Sequence, residues 1–366
     1  STVFYVLQIY SNIRSCINFC KNMKTIHEDL FAMRDHIGES IDCMDAFEKT
    51  CNKKTTYQPF IDNMKIHRNA LKKFHADLER VTPNTVSFGK FKEIGHVMKC
   101  FYQLHHREDY IEAMRYSFDF CGYLDNMHRL RCGVKDKRLN KCKFSKKKTK
   151  FSGAFFPITE KEPVRNTYDL DKHILITGPN AAGKTTLLKT TLLNVILSQQ
   201  IGHGCYNKAS IATYDYIHCY INIPDTSGRD SLFQAEARRC KEIIDSVGKE
   251  GDKARHFCVF DELYSGTNPY EAIGSAASFL RYLNKHPNVS FIITTHFLDL
   301  CRRLDTDGNM SNRHMAIDSN EDGFKYTYKL SSGMSNVKGG VKVLNDLEYP
   351  DEIISGTREI IDDLKI

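Results

Sequence analysis

No run of about 18 apolar residues occurs in this chain of 366 residues, which excludes a membrane-spanning helix of ordinary length. The apolar opening stretch Phe4 to Tyr10 is soon followed by Arg14 and Lys21, which does not fit a signal peptide. The thirteen cysteines contain no C-x-x-C pair, so a disulfide framework and a zinc site are both disfavoured, and scattered reduced thiols are expected. Cys16 and Cys20, four residues apart, are expected as core neighbours on a helix. Internal repeats and low-complexity segments are missing as well, which argues against solenoids and fibres. With 41% hydrophobic and 27% charged residues, the expectation is an intracellular globular protein of two or three domains, cytoplasmic or nuclear, with no membrane partner.

Acidic residues are scarce in one half. Residues 1–150 carry 28 Lys and Arg against 17 Asp and Glu, whereas residues 151–366 carry 24 against 28. This asymmetry suits a protein that holds a polyanion with one part and does chemistry with the other.

Residues 1 to about 132 lack strand alternation and show apolar residues at helical spacing, as in Ile111, Met114, Tyr116 and Phe118 after Arg107, Glu108 and Asp109. The spacing predicts several helices, with a turn at Pro83-Asn84. A basic run follows, made of Lys135, Lys137, Arg138, Lys141, Lys143, Lys146, Lys147, Lys148 and Lys150. It reads as a linker or exposed loop closing a helical domain over residues 1–150; a phosphate-contacting patch and a nuclear address are the alternatives. Beyond it the texture changes. His173 to Thr177, Phe257 to Phe260 and Val289 to Thr294 are apolar strand runs, and Gly183 to Gln200 reads as a helix, which predicts an α/β domain over 151–366.

Gly178-Pro179-Asn180-Ala181-Ala182-Gly183-Lys184-Thr185 fits G-x-x-x-x-G-K-[ST], directly after a strand and before a helix. Its glycines let backbone N–H groups converge on phosphates, with Thr186 continuing the cradle. Lys184 supplies charge to the β and γ phosphates, and the Thr185 hydroxyl suits Mg²⁺. The strand Phe257 to Phe260 closes in Asp261 and Glu262. In such an arrangement the first acid holds Mg²⁺ and the second orients the attacking water. The third strand leads to His296, which on position alone is either a structural histidine or a group that polarises the γ-phosphate.

Four segments together resemble the ATPase of the MutS family. They are Ile176 to Thr185, then Asp230-Ser231-Leu232-Phe233-x-x-Glu236, then Asp261-Glu262-Leu263-x-Ser265-Gly266-Thr267-Asn268, then Thr294-Thr295-His296-Phe297. Tyr326-x-Tyr328-Lys329-Leu330, Gly333-Met334-Ser335, Gly340-Val341 and Pro350-x-x-Ile353-Ile354 extend the likeness to about residue 364. The resemblance implies an ABC-type P-loop domain after an all-α core and lever domain, as a short form or a fragment. It implies ATP and Mg²⁺ as cofactors and a paired site in which Ser231 reaches the partner's γ-phosphate. His296 becomes a γ-phosphate sensor, and Tyr328, with Val164 and Asn166, lies at the adenine. Without the resemblance, Ser231 reads as an ordinary helix cap.

The implied function is an ATP-dependent clamp on duplex or branched DNA, working in mismatch repair or recombination as a homodimer or with a MutS-like partner. Another ABC-type machine is disfavoured by the missing Ser-Gly-Gly-Gln signature; a clamp that binds ATP and seldom hydrolyses it is the other alternative. Phe91-Lys92-Glu93 formally matches the family's mismatch wedge but reads as a chance triplet in a helical region.

Overall fold

The helical part follows from a seven-residue rhythm. Along α1 (Thr2–Cys51), the buried residues Met23, Leu30, Ile37, Met44 and Cys51 recur every seventh position, so one stripe faces the neighbouring helices. On α2 (Gln58–Leu78) that stripe meets Ile61, Met64, Leu71, Phe74 and Leu78. Helices α3 (Phe88–His106) and α4 (Glu108–Lys135) complete the core with Val97, Cys100, Tyr110, Ala113, Met114 and Phe120. The turn expected at Pro83-Asn84 lies between α2 and α3. The computed structural model describes residues 2–84, 88–146, 148–158, 162–221, 223, 231–320, 323–335, 341, 344–345 and 347–363. Phe91 lies in α3, but its side chain is outside what is described, as are Lys147, Asp230 and Gly340.

Two regions differ from what their sequence pattern predicts. Cys16 and Cys20 are helical but exposed: residues 3–22 of α1 are all exposed, so the spacing aligns the two thiols on one face without burying either. The basic run is not a linker ending at 150, because the chain divides into two compact units at Cys132/Gly133. Strand β1 (Asn140–Ser145) lies inside the second unit, pairing in parallel with β6 (Lys208–Ala212). Cys142 points inward while Lys141 and Lys143 stay exposed, so a half-solvated strand carries the lysines on its wet face. Lys148 and Lys150 pair with Asp171 at 2.6 and 3.5 Å, and Arg255 donates to the Lys146 carbonyl.

Among the described residues the second unit holds two sheets. The smaller runs β3-β2-β6-β1-β5, with β2 at Lys150–Ala154, β3 at Asn166–Asp169 and β5 at His203–Gly204. The larger runs β11-β10-β4-β9-β8-β7. In it β7 (Tyr216–Tyr220), β8 (His256–Asp261), β9 (Val289–Thr294), β4 (His173–Thr177) and β10 (Met310–Asn320) are all parallel, and β11 (Gly323–Ser332) closes one edge antiparallel.

Buried on both faces, these strands read as continuous apolar runs. Ile174, Ile176, Phe257, Val259 and Ile292 face α5 (Lys184–Ile201) and the small sheet, sharing a core with Leu187, Leu188, Val195, Phe151 and Ile211. The alternate residues Leu175, Cys258, Phe260, Phe291 and Ile293 face α6 (Leu232–Glu250), α7 (Pro269–Asn284) and α8 (Leu298–Asp305). Helix α9 (Asp351–Asp363) ends the described chain. No helix among the described residues is long and apolar enough to cross a membrane.

Candidate functional site

Strand β4 delivers the chain to the carboxyl edge of the large sheet, where the backbone must turn sharply into α5. Gly178, Ala181 and Gly183 take φ values of +148°, +61° and +92°, and Gly183 is the residue from which α5 starts. A Cβ on Gly183 would lie 3.0 Å from Cδ1 of Tyr328, so glycine there serves both the turn and the close approach of that ring. Pro179 and Ala182 are buried beneath the turn, while Asn180, Ala181 and Thr186 are exposed.

Lys184 is buried, and its Nζ donates to the carbonyls of Gly178 and Pro179 at 2.9 and 3.1 Å. Burial pulls its pKa below the ordinary lysine value, against the attraction of Glu262 and Asp261.

Strand β8 ends two strands away in the sheet and brings in the acids. Asp261 Oδ1 accepts from the Thr185 hydroxyl at 3.1 Å and from the Thr294 hydroxyl at the end of β9. Thr294 belongs to the Thr294-Thr295-His296-Phe297 segment of the resemblance, which gives it no role; the parallel register sets it opposite Asp261. Glu262 follows at φ +52°, and its N–H donates to the Thr294 carbonyl at 3.1 Å. Its carboxylate pairs with His296 Nε2 at 2.5 Å. That hydrogen bond holds Glu262 below the ordinary carboxylate range, outweighing burial, with Lys184 adding attraction. His296 is thus a partly exposed partner of Glu262 and not a core histidine.

Glu262, Lys184, Thr185, Thr186 and the turn residues Asn180, Ala181 and Gly183 line a cleft of about 420 Å³. The rest of its wall includes Tyr328, Val164 and Asn166, joined by Phe156, Glu162, Pro163 and Met315, of which the last four had no sequence signal. Asn166 ties this wall together: its Nδ2 donates to the Tyr328 carbonyl at 3.0 Å, and its Oδ1 accepts from Leu330 N at 2.8 Å.

Ser231 does not line this cleft. It caps α6, its Oγ accepting from Gln234 N while Ser231 N donates to the Gln234 side chain at 2.9 Å, a reciprocal capping box. Among the described residues no group of three His, Cys, Asp or Glu clusters as a metal cage. The adjacent hydroxyl of Thr185 and carboxylate of Asp261 are hard oxygen donors of the kind Mg²⁺ takes beside phosphates.

MutS domain V matches this chain over residues 174–365, more than half of its length and all of the site from β4 onward. The chain belongs to the MutS family. It is 28% identical over 207 residues to the DNA mismatch repair protein MutS of Leuconostoc citreum, a match covering 55% of this chain and 23% of that protein. It is 26% identical over 233 residues to the MutS of Staphylococcus haemolyticus, covering 61% and 26%. With the Drosophila melanogaster protein spellchecker 1, also a DNA mismatch repair protein, it shares 25% identity over 209 residues, covering 55% and 22%. The chain therefore matches about a quarter of the length of these MutS relatives. The helical unit lies outside the MutS domain V match.

Proposed function

We propose that this chain hydrolyses ATP at a site completed by a second subunit and uses the ATP state to switch a DNA clamp. The observation that carries the reading is the convergence, at one edge of one sheet, of a buried lysine, a hydroxyl–carboxylate pair and a carboxylate held by a histidine. In this reading Lys184 exchanges the carbonyls of Gly178 and Pro179 for phosphate oxygens, and the amides from Asn180 to Thr186 cradle the same group.

Thr185 and Asp261 would hold Mg²⁺, which when bound neutralises charge on the phosphates. Glu262 orients the attacking water and receives its proton, and His296 fixes the carboxylate in place. Tyr328, Val164 and Asn166 stand where the base would lie. The same ordered edge supports the P-loop fold assignment, with the ligand at the carboxyl ends of parallel strands.

The dimer and the DNA role rest on family membership and charge. Ser231 serves as a cap within its own chain and in this reading also reaches the partner's nucleotide. The positive charge before residue 151 supports phosphate contacts to DNA, whether the partner subunit is identical or only MutS-like.

Mixing Ser231→Arg chains with Lys184→Ala chains tests the paired site: each alone is inactive, and the mixture recovers part of the turnover because one mixed pair holds one intact site. No recovery at any ratio between exchanging dimers overturns the paired site. Binding to DNA should weaken steeply with salt, with a slope near −0.9 per phosphate neutralised on duplex. No binding to any DNA at low salt overturns the DNA role.

A further inference from the structure

Glu236 lies on the second turn of α6, five residues beyond the cap, and is only 2% exposed. A buried carboxylate demands partners. It finds them on the loop that carries Glu262: Oε1 accepts from the Ser265 hydroxyl at 3.1 Å and Oε2 from Gly266 N at 3.2 Å. The loop is pressed onto the same helix end. A Cβ on Gly266 would meet Leu232 Cγ at 2.7 Å and Phe233 N at 2.9 Å, so only glycine lets the two backbones approach this closely. The Tyr264 ring packs at a tilt against Phe233 of the first turn of α6, with ring centroids 5.5 Å apart, and the Tyr264 N–H donates to the Tyr220 hydroxyl at 3.3 Å.

Resting on the ATPase reading above, we infer that Glu236 is a positioning residue that makes the Ser231 end of α6 and the Glu262 loop one mechanical body. Contact of Ser231 with the partner's nucleotide is thereby transmitted to the carboxylate that orients water. Glu236 touches no substrate. It acts by fixing Ser265 and Gly266, three and four residues beyond Glu262, in a loop whose Glu262 and Tyr264 both hold left-handed backbone.

Glu236→Gln keeps the volume but sets an amide or a single acceptor against two donors. The expected result is ATP turnover at least ~10-fold slower, with the Kd for a fluorescent ATP analogue within ~3-fold of wild type, the size of coupling that packed networks carry. A merely structural role would not produce the next result: Ser231→Ala combined with Glu236→Gln turns over no more slowly than the slower single variant, because both act through one connection. Wild-type turnover in Glu236→Gln, or fold-losses that multiply, overturns the inference. Gly266→Ala, which wedges the same contact apart, replaces Glu236→Gln if that chain shows no cooperative thermal transition.

Hydrogen exchange separates this failure from failure of the ATPase reading. If the wild type hydrolyses no ATP, the ATPase reading falls, and exchange in Glu236→Gln still decides the coupling. Joint loss of protection in residues 264–267 and 232–235 supports it; loss confined to one segment overturns it.

Discussion

The loop after β4 and the loop after β8 leave the same edge of the same sheet, and both pass through left-handed backbone. The first meets that demand largely with residue choice: Gly178 and Gly183 take positive φ, with Ala181 between them. The second meets it with Glu262 at +52° and Tyr264 at +57°, side chains for which such conformations cost roughly 1–3 kcal/mol each. Surroundings hold them there. Leu263 and Tyr264 are buried, Glu262 N is bonded to Thr294 O, and the buried Glu236 grips Ser265 and Gly266. The first loop is therefore shaped from within and presents backbone to its cleft. The second is shaped from outside, by the groups that α6 and β9 bring to it, and presents side chains.

Two substitutions test that division most strongly. Lys184→Ala should abolish binding of a fluorescent ATP analogue, weakening it at least ~100-fold, while the thermal transition remains cooperative, because the charge that meets the phosphates is lost and the turn keeps its glycines. Binding equal to wild type would remove the phosphate role from the first loop. Glu262→Gln should bind the analogue normally and hydrolyse ATP at least ~100-fold more slowly, since the general-base and positioning contribution is of that size. Unchanged turnover would move water activation away from the second loop, with His296 the next residue to substitute.

The same division decided what could be read from sequence. The turn from Gly178 to Thr185 was legible because its demand is local, written as glycines at a fixed spacing between a strand and a helix. Strands β4, β8 and β9 were legible because burial on both faces leaves uninterrupted apolar runs. The grip of Glu236 on Gly266 was not, because a contact across thirty residues of chain has no local signature. Strand β1 was hidden for the opposite reason: its exposed face holds Lys141 and Lys143, so a paired strand carries the composition of a linker. The exposed helical turns with Cys16 and Cys20 show the limit of periodicity, which aligns residues on a face without saying that the face is covered.

A smaller effect is expected from Gly183→Ala. The backbone there is at φ +92°, and the added Cβ meets the Tyr328 ring at 3.0 Å. Loss of the glycine conformation alone destabilises by more than about 1 kcal/mol, and the ring must also shift. Thermal unfolding should show a midpoint several degrees lower, with weakened analogue binding. An unshifted midpoint would mean that the first loop depends on its surroundings as much as the second does.

The smallest effect separates the two loops by pH. Glu262 is held below its ordinary carboxylate pKa chiefly by the His296 hydrogen bond, and Lys184 from the first loop contributes a weaker attraction. A depressed carboxylate stays ionised, and so able to take a proton from water, down to a pH below the usual range for glutamate. The acid limb of the kcat profile in the wild type should therefore lie below that range. Removing the partner in His296→Ala leaves burial opposed only by Lys184, so the limb should move to higher pH while the alkaline side of the profile is retained. The limb is compared after each profile is scaled to its own plateau, because losing the group that fixes the carboxylate lowers turnover at every pH, and the pH-dependent difference grows as pH falls toward the glutamate range. If the acid limb of His296→Ala overlies that of the wild type, the His296 pairing does not set the ionisation of the carboxylate that limits turnover, and the second loop would be tuned by Lys184 and burial alone.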